Sequence, residues 1–149
     1  MPNRDRTPKH IKLDERNHVE KPLLEQLEGL GWEVVDVTDL LQAPESTSRE
    51  NFTEVILPKL LFSQLKVINP WLEDDQVEDV VNQLTANFPS NSLIENNKHL
   101  LHLLLENASV SENRRTGEQN PTVFFVDFKN KENNKFTAVC QFKIRILGT

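Results

Sequence analysis

Four sets of side chains in this sequence have the types that chemistry uses: His99-x-x-His102, Cys140, Asp127, and the pair Lys143 and Arg145. A spacing of three puts His99 and His102 on one helical face, where two imidazoles could share a zinc ion. No cysteine or paired acid stands nearby to complete the ligand set, so two partly exposed helix histidines is the plainer reading. Cys140 falls on the apolar side of an alternating segment, with no histidine near it in sequence. A buried structural thiol fits that setting, because burial disfavours the reactive thiolate. Asp127 sits between Val126 and Phe128 and could ligate a metal; an ion-paired or edge-strand aspartate is the safer reading. Lys143 and Arg145 occupy the polar side of the last predicted strand, where they could touch a DNA backbone or simply be solvated. The four glycines form no phosphate-cradling loop, so this chain is expected to bind no ATP.

The elements that must position these groups read as helices first and strands last. Residues 1–13 are polar, proline-bearing and aperiodic, which predicts a flexible arm. Asp14 can cap a helix whose apolar positions, Val19, Leu23, Leu27 and Leu30, fall on one face, widened by Leu24. Pro22 either kinks that helix or marks its true first turn. Gly31 suits the left-handed position that closes a helix, and residues 32–37 suit a strand. A helical insertion is predicted over about 52–106. Its first helix restarts at Pro58, with Val55, Ile56, Leu60 and Leu65 as buried positions, and Asn69-Pro70 stops it. Glu73, Asp74 and Asp75 favour the N-terminus of the next helix, whose Val77, Val80, Val81 and Leu84 recur at i, i+3, i+4 and i+7. Residues 92–106 form a last helix, so rich in leucine that deep burial is expected.

The period then changes. Val123 to Phe128 is a short apolar run, and 129–135 reads as a turn. Phe136, Ala138, Cys140, Phe142, Ile144 and Ile146 alternate with more polar neighbours, which predicts one long strand. The fold class is therefore α+β: a leading helix and strand, a helical insertion, and a C-terminal antiparallel β-hairpin from Val123 to Ile146.

A chain of 149 residues is one domain's worth, and a composition 37% hydrophobic and 27% charged is that of an ordinary globular protein. A single cysteine excludes an internal disulfide and fits a reducing cytoplasm. No apolar run approaches the roughly 18 residues of a membrane helix, and the N-terminus is polar rather than signal-like. The net charge of −6 argues against a free-standing nucleic-acid binder. Its distribution qualifies that: 1–21 carries six basic against four acidic residues, 22–113 four against sixteen, and 114–149 seven against three. Two mildly basic ends flank an acidic middle, which leaves room for one basic face or for scattered solvated charge.

Short segments in a fixed order carry a family resemblance. His18-Val19-Glu20-Lys21-Pro22-Leu23-Leu24-Glu25-Gln26-Leu27 leads to Gly29-Leu30-Gly31-Trp32-Glu33. Phe52-Thr53-Glu54, Ile68-Asn69-Pro70-Trp71-Leu72 and Leu93-Ile94-Glu95-Asn96-Asn97 follow. Asp127-Phe128, Glu132-Asn133-Asn134 and Gln141-Phe142 close the series. Together they resemble the N-terminal part of the restriction (R) subunit of type I restriction endonucleases.

That resemblance implies a PD-(D/E)xK nuclease at the front of an ATP-driven DNA translocase, working with Mg²⁺ and with modification and specificity subunits. Residues 14–149 would be the front part of the nuclease domain, ending before the strands that carry Pro-Asp and Glu-x-Lys. No metal site would be complete here, neither Mg²⁺ nor ATP would be bound by this chain, and the chain alone would not cleave DNA. Glu20 matches the helix acid that such nucleases often present towards the metal; otherwise it is a solvated helix glutamate. DNA and the partner subunits are the expected partners, with no membrane. The alternative is a non-catalytic module that binds those subunits or DNA. A long last strand, 135–147, with one unpaired edge would also invite self-association.

Overall fold

The computed structural model describes residues 15–38, 43–85 and 92–145. The predicted arm, the cap Asp14 and the last strand residue Ile146 lie outside the described residues. The architecture is α+β, and the chain divides into two compact units: residues 1–42 with 135–142, and residues 43–134 with 143–149.

In the first unit a π-helical turn, Arg16–Glu20, leads into helix α1, Lys21–Gly29. Pro22 sits in the first turn of α1. A proline has no N–H to give and its ring would strike the carbonyl four residues back, so an α-helix accepts it only there. The wider π turn upstream accommodates the change: the chain is already helical at Glu20 (φ −69°, ψ −54°), so Pro22 opens the α-helical register without starting the helical run. The expected apolar stripe does not bury: Val19, Leu23 and Leu30 are exposed, and only Leu24 and Leu27 are half-buried. The π turn moves Val19 out of the α-helical register, and two four-residue strands offer too little surface to cover the rest. Gly31, at φ +90°, closes the helix in the left-handed region, as its type predicts.

Strand β1, Glu33–Asp36, follows, and its partner is β4, Thr137–Cys140, in parallel, with Glu33 opposite Thr137 and Asp36 opposite Cys140. Trp32 stacks on Phe136 with ring centroids 5.2 Å apart, and Lys135 pairs with Glu33 at 2.6 Å, so the two strands are pinned where they begin. Parallel neighbours need a long crossover, and here the connection contains the whole of residues 43–134.

This corrects the predicted C-terminal hairpin. The strand is four residues long rather than reaching from 135 to 147, it pairs with β1 rather than with 123–128, and the pairing is parallel. Gln141 ends it by turning into the left-handed region at φ 61°. Beyond it the backbone N–H of Arg145 bonds to the carbonyl of Phe52 at 2.7 Å, which takes that segment away from any sheet. The long unpaired edge from which self-association was expected is therefore absent among the described residues.

In the second unit a 3-10 turn, Pro44–Thr47, precedes α2 (Pro58–Ile68), α3 (Asp74–Thr85) and α4 (Leu93–Glu106). The short strands β2, Ala108–Ser109, and β3, Thr122–Val123, pair antiparallel. Leu65, Leu72, Val77, Val80, Ala108, Val110 and Val123 form the core, with Phe62, Trp71 and Phe125 packed against it. Each fully buried Leu or Val of this kind contributes about 1.5–3 kcal/mol relative to exposure. The N-terminus of α3 is built as its sequence predicts. Gln76 accepts the N–H of Glu73 and donates to the carbonyl of Glu112 at 2.8 Å, while Arg114 grips Asp75 with two bonds of 2.9 and 2.6 Å and also reaches Glu73.

Two burial expectations fail here. Val55 is exposed, because the segment before Pro58 is turn rather than helix. On α4, Ile94, Leu101, Leu104 and Leu105 are exposed, and none of its described side chains is fully buried. Leucine content reported apolarity, but no other described element packs closely over that face.

Candidate functional site

The carboxyl ends of two parallel strands and the end of one helical turn meet at Glu20, Cys140 and Gln141. Parallel α/β units place ligands outside the carboxyl ends of their strands, so this is the first place to look for chemistry. Glu20 closes the π turn, just before Pro22 sets the first turn of α1, and its side chain is half-buried. Cys140 is the last residue of β4 and is buried. Its thiol donates to Glu20 Oε1 at 2.8 Å, and Gln141 Nε2 donates to the same oxygen at 2.8 Å. The thiol is thus a hydrogen-bond donor inside the fold, as a structural cysteine should be. Nothing in its local sequence signals that it meets a residue 120 positions away.

A thiol, an amide and one carboxylate do not make a magnesium site, because Mg²⁺ demands an octahedron of oxygens. Among the described residues no three His, Cys, Asp or Glu side chains are grouped closely enough to hold a metal ion.

The remaining candidates separate. His102 pairs with Glu106 one turn away at 2.8 Å, and both side chains are exposed; His99 is half-buried. Asp127 turns its carboxylate into its own loop: Oδ1 accepts the N–H groups of Lys129 and Asn130, and Oδ2 accepts Asn133 Nδ2. Those bonds, the Asn130 amide first, hold its carboxyl below the usual carboxylate range. Asn134 closes the loop by exchanging two bonds of 2.8 Å with the backbone of Asp127. This side-chain closure is what stands where a hairpin turn was expected.

Lys143 and Arg145 do not lie on a strand. Lys143 places its ammonium 4.7 Å from the centre of the Phe52 ring, and its carbonyl accepts a 2.8 Å bond from Arg49. Arg145 is anchored by its backbone, with its side chain exposed. Arg49 is a structural residue that its sequence context does not announce. It is 1% exposed, bonds Thr47 Oγ1 at 2.6 Å and the Glu54 carbonyl at 2.9 Å, and packs on Phe52. A lone arginine in a polar loop carries no signal that distinguishes it from a solvated one.

Residues 12–149 match the family described as type I restriction enzyme R protein N terminus. The chain belongs to that family. Across 130 residues it is 32% identical to the type I restriction enzyme HindI endonuclease subunit of Haemophilus influenzae, a match covering 87% of this chain and 12% of the relative. It is also 26% identical over 133 residues to the putative type I restriction enzyme MjaIXP endonuclease subunit of Methanocaldococcus jannaschii, covering 89% of this chain and 12% of that protein. The R-protein N-terminal segment seen here thus spans about one-eighth of the length of these relatives. No solved structure matches it. Among its described residues no helix is long and apolar enough to cross a membrane.

Proposed function

We propose that this chain is the front part of the DNA-cleaving domain of a type I restriction enzyme R subunit. The single observation that carries this reading is the family match over 12–149, and the convergence of Glu20 with the end of β4 supports it. In the complete enzyme, DNA is the substrate, Mg²⁺ and ATP are the cofactors, and modification and specificity subunits are the partners. Glu20 is the residue of this chain that the reading assigns to the cleavage chemistry. The exposed side chains of Lys143 and Arg145 are its candidates for backbone contact with DNA. Of this chain's carboxylates the reading assigns only Glu20 to the cleavage chemistry, and by it the chain alone is inactive.

A plasmid assay tests the reading. Incubated with plasmid DNA and Mg²⁺, the isolated chain leaves the plasmid intact, and specific nicking that Glu20→Ala abolishes overturns the reading. In the complete R subunit, Glu20→Gln lowers DNA cleavage while ATP hydrolysis persists; wild-type cleavage would show Glu20 to be a surface residue. A second reading, a non-catalytic module that binds partner subunits, is favoured by the exposed leucines of α4 alone.

A further inference from the structure

At the end of β4, the backbone and side chain of Gln141 pull in opposite directions. At φ 61° the residue occupies the left-handed region, which glycine enters freely and which costs a residue with a Cβ about 1–2 kcal/mol. The strand needs a sharp exit here, and glycine would provide it with less strain. Glutamine instead commits its side chain to a 2.8 Å bond to Glu20 Oε1, beside the Cys140 thiol on the same oxygen. Strained backbone held in place by its surroundings gathers where geometry serves function.

We infer that Gln141 is a positioning residue for the Glu20 carboxylate, holding it at the carboxyl ends of β1 and β4 for the cleavage reaction. This rests on the reading of Glu20 given above. An amide suits that role because it orients a carboxylate by donating one hydrogen bond, and it neither neutralises the charge nor titrates. The thiol of Cys140 holds the same oxygen only weakly, because S–H is a poor donor. Without the amide, Glu20 keeps its charge but loses the bond that orients Oε1, and a misplacement of about 1 Å at a reacting centre can cost on the order of a hundredfold in rate.

Two substitutions separate positioning from stability. Gln141→Ala and Gln141→Gly both remove the amide, but only glycine relieves the backbone. In this chain, Gln141→Gly should melt at a higher temperature than Gln141→Ala. In the complete R subunit both should lower single-turnover DNA cleavage by a similar factor, on the order of ten to a hundredfold, with ATP hydrolysis retained and DNA affinity little changed. Gln141→Glu, which replaces the donor with a second carboxylate, should lose cleavage at neutral pH and regain part of it as pH falls. Cleavage that tracks melting temperature, with the glycine variant near wild type, overturns the positioning role. If Glu20→Gln itself cleaves like wild type, the reading of Glu20 fails instead. If Glu20→Gln is inactive and Gln141→Gly fully active, only the inference about Gln141 falls.

Discussion

Asn69 treats Phe124 as a strand would: its Nδ2 donates to the Phe124 carbonyl at 2.8 Å and its Oδ1 accepts the Phe124 N–H at 2.9 Å. Asn69 also ends α2, and the same Nδ2 satisfies the carbonyl of Leu65 at 3.1 Å. One 1%-exposed side chain therefore caps a helix and fixes the segment that leaves β3. Asn69→Ala strands backbone groups in a partly buried place, at a cost of about 1–3 kcal/mol. Urea denaturation of the chain should register that loss. Asn69→Asp keeps the acceptor but sets a carboxylate against two carbonyl oxygens, so it should be at least as unstable at neutral pH and recover partly on acidification.

Acid should weaken the chain through two aspartates. Bonds from Arg114 hold the Asp75 carboxyl below its usual value of 3.8, and the amide of Asn130 with its neighbours does the same for Asp127. A depressed folded value means that the native state binds a proton less readily than the unfolded chain does. The stability each group contributes is present above about pH 4 and is lost as pH falls through the folded value. Asp75 is exposed and Asp127 only half-buried, so the effect is modest and reduced by salt. Denaturation midpoints should be flat with respect to these groups from about pH 5 to 8 and decline below about 4. Asp75→Asn and Asp127→Asn should each flatten that decline; an unchanged acid limb in both variants refutes these assignments.

The helices of the second unit were legible because local signals agreed. Pro58 started α2, Asn69-Pro70 stopped it, and Val77, Val80 and Leu84 buried on the face their spacing marks. The last strand was misread because alternation reports sides and says nothing of partners. Phe136 to Ile146 alternates faithfully, yet among the described residues only 137–140 finds a strand, and that strand is β1, from the opposite end of the chain. The left-handed turn at Gln141 gave no warning, since glutamine is not a residue that signals one. Glu20 was reached through the family pattern, whereas the donors Cys140 and Gln141, 120 and 121 residues away, belong to tertiary structure alone.

Arg49 supplies the sharpest stability prediction. Its guanidinium joins the 3-10 turn through Thr47, the loop before α2 through Glu54, and the tail through the carbonyl of Lys143. Phe52 receives two cations, with Arg49 at 5.5 Å and Lys143 at 4.7 Å from its ring centre. Arg49→Ala removes several charge-assisted bonds at once and opens space beneath the ring, a loss on the order of 3 kcal/mol. Arg49→Lys keeps the charge but lacks the fork that spans three acceptors, and should recover only part of it. The consequence reaches the proposed DNA contacts, because the Lys143 carbonyl loses its anchor. Hydrogen exchange at residues 143–145 should accelerate in Arg49→Ala while α3 stays protected. Equal loosening of α3 would mean that Arg49 supports the whole unit rather than the tail.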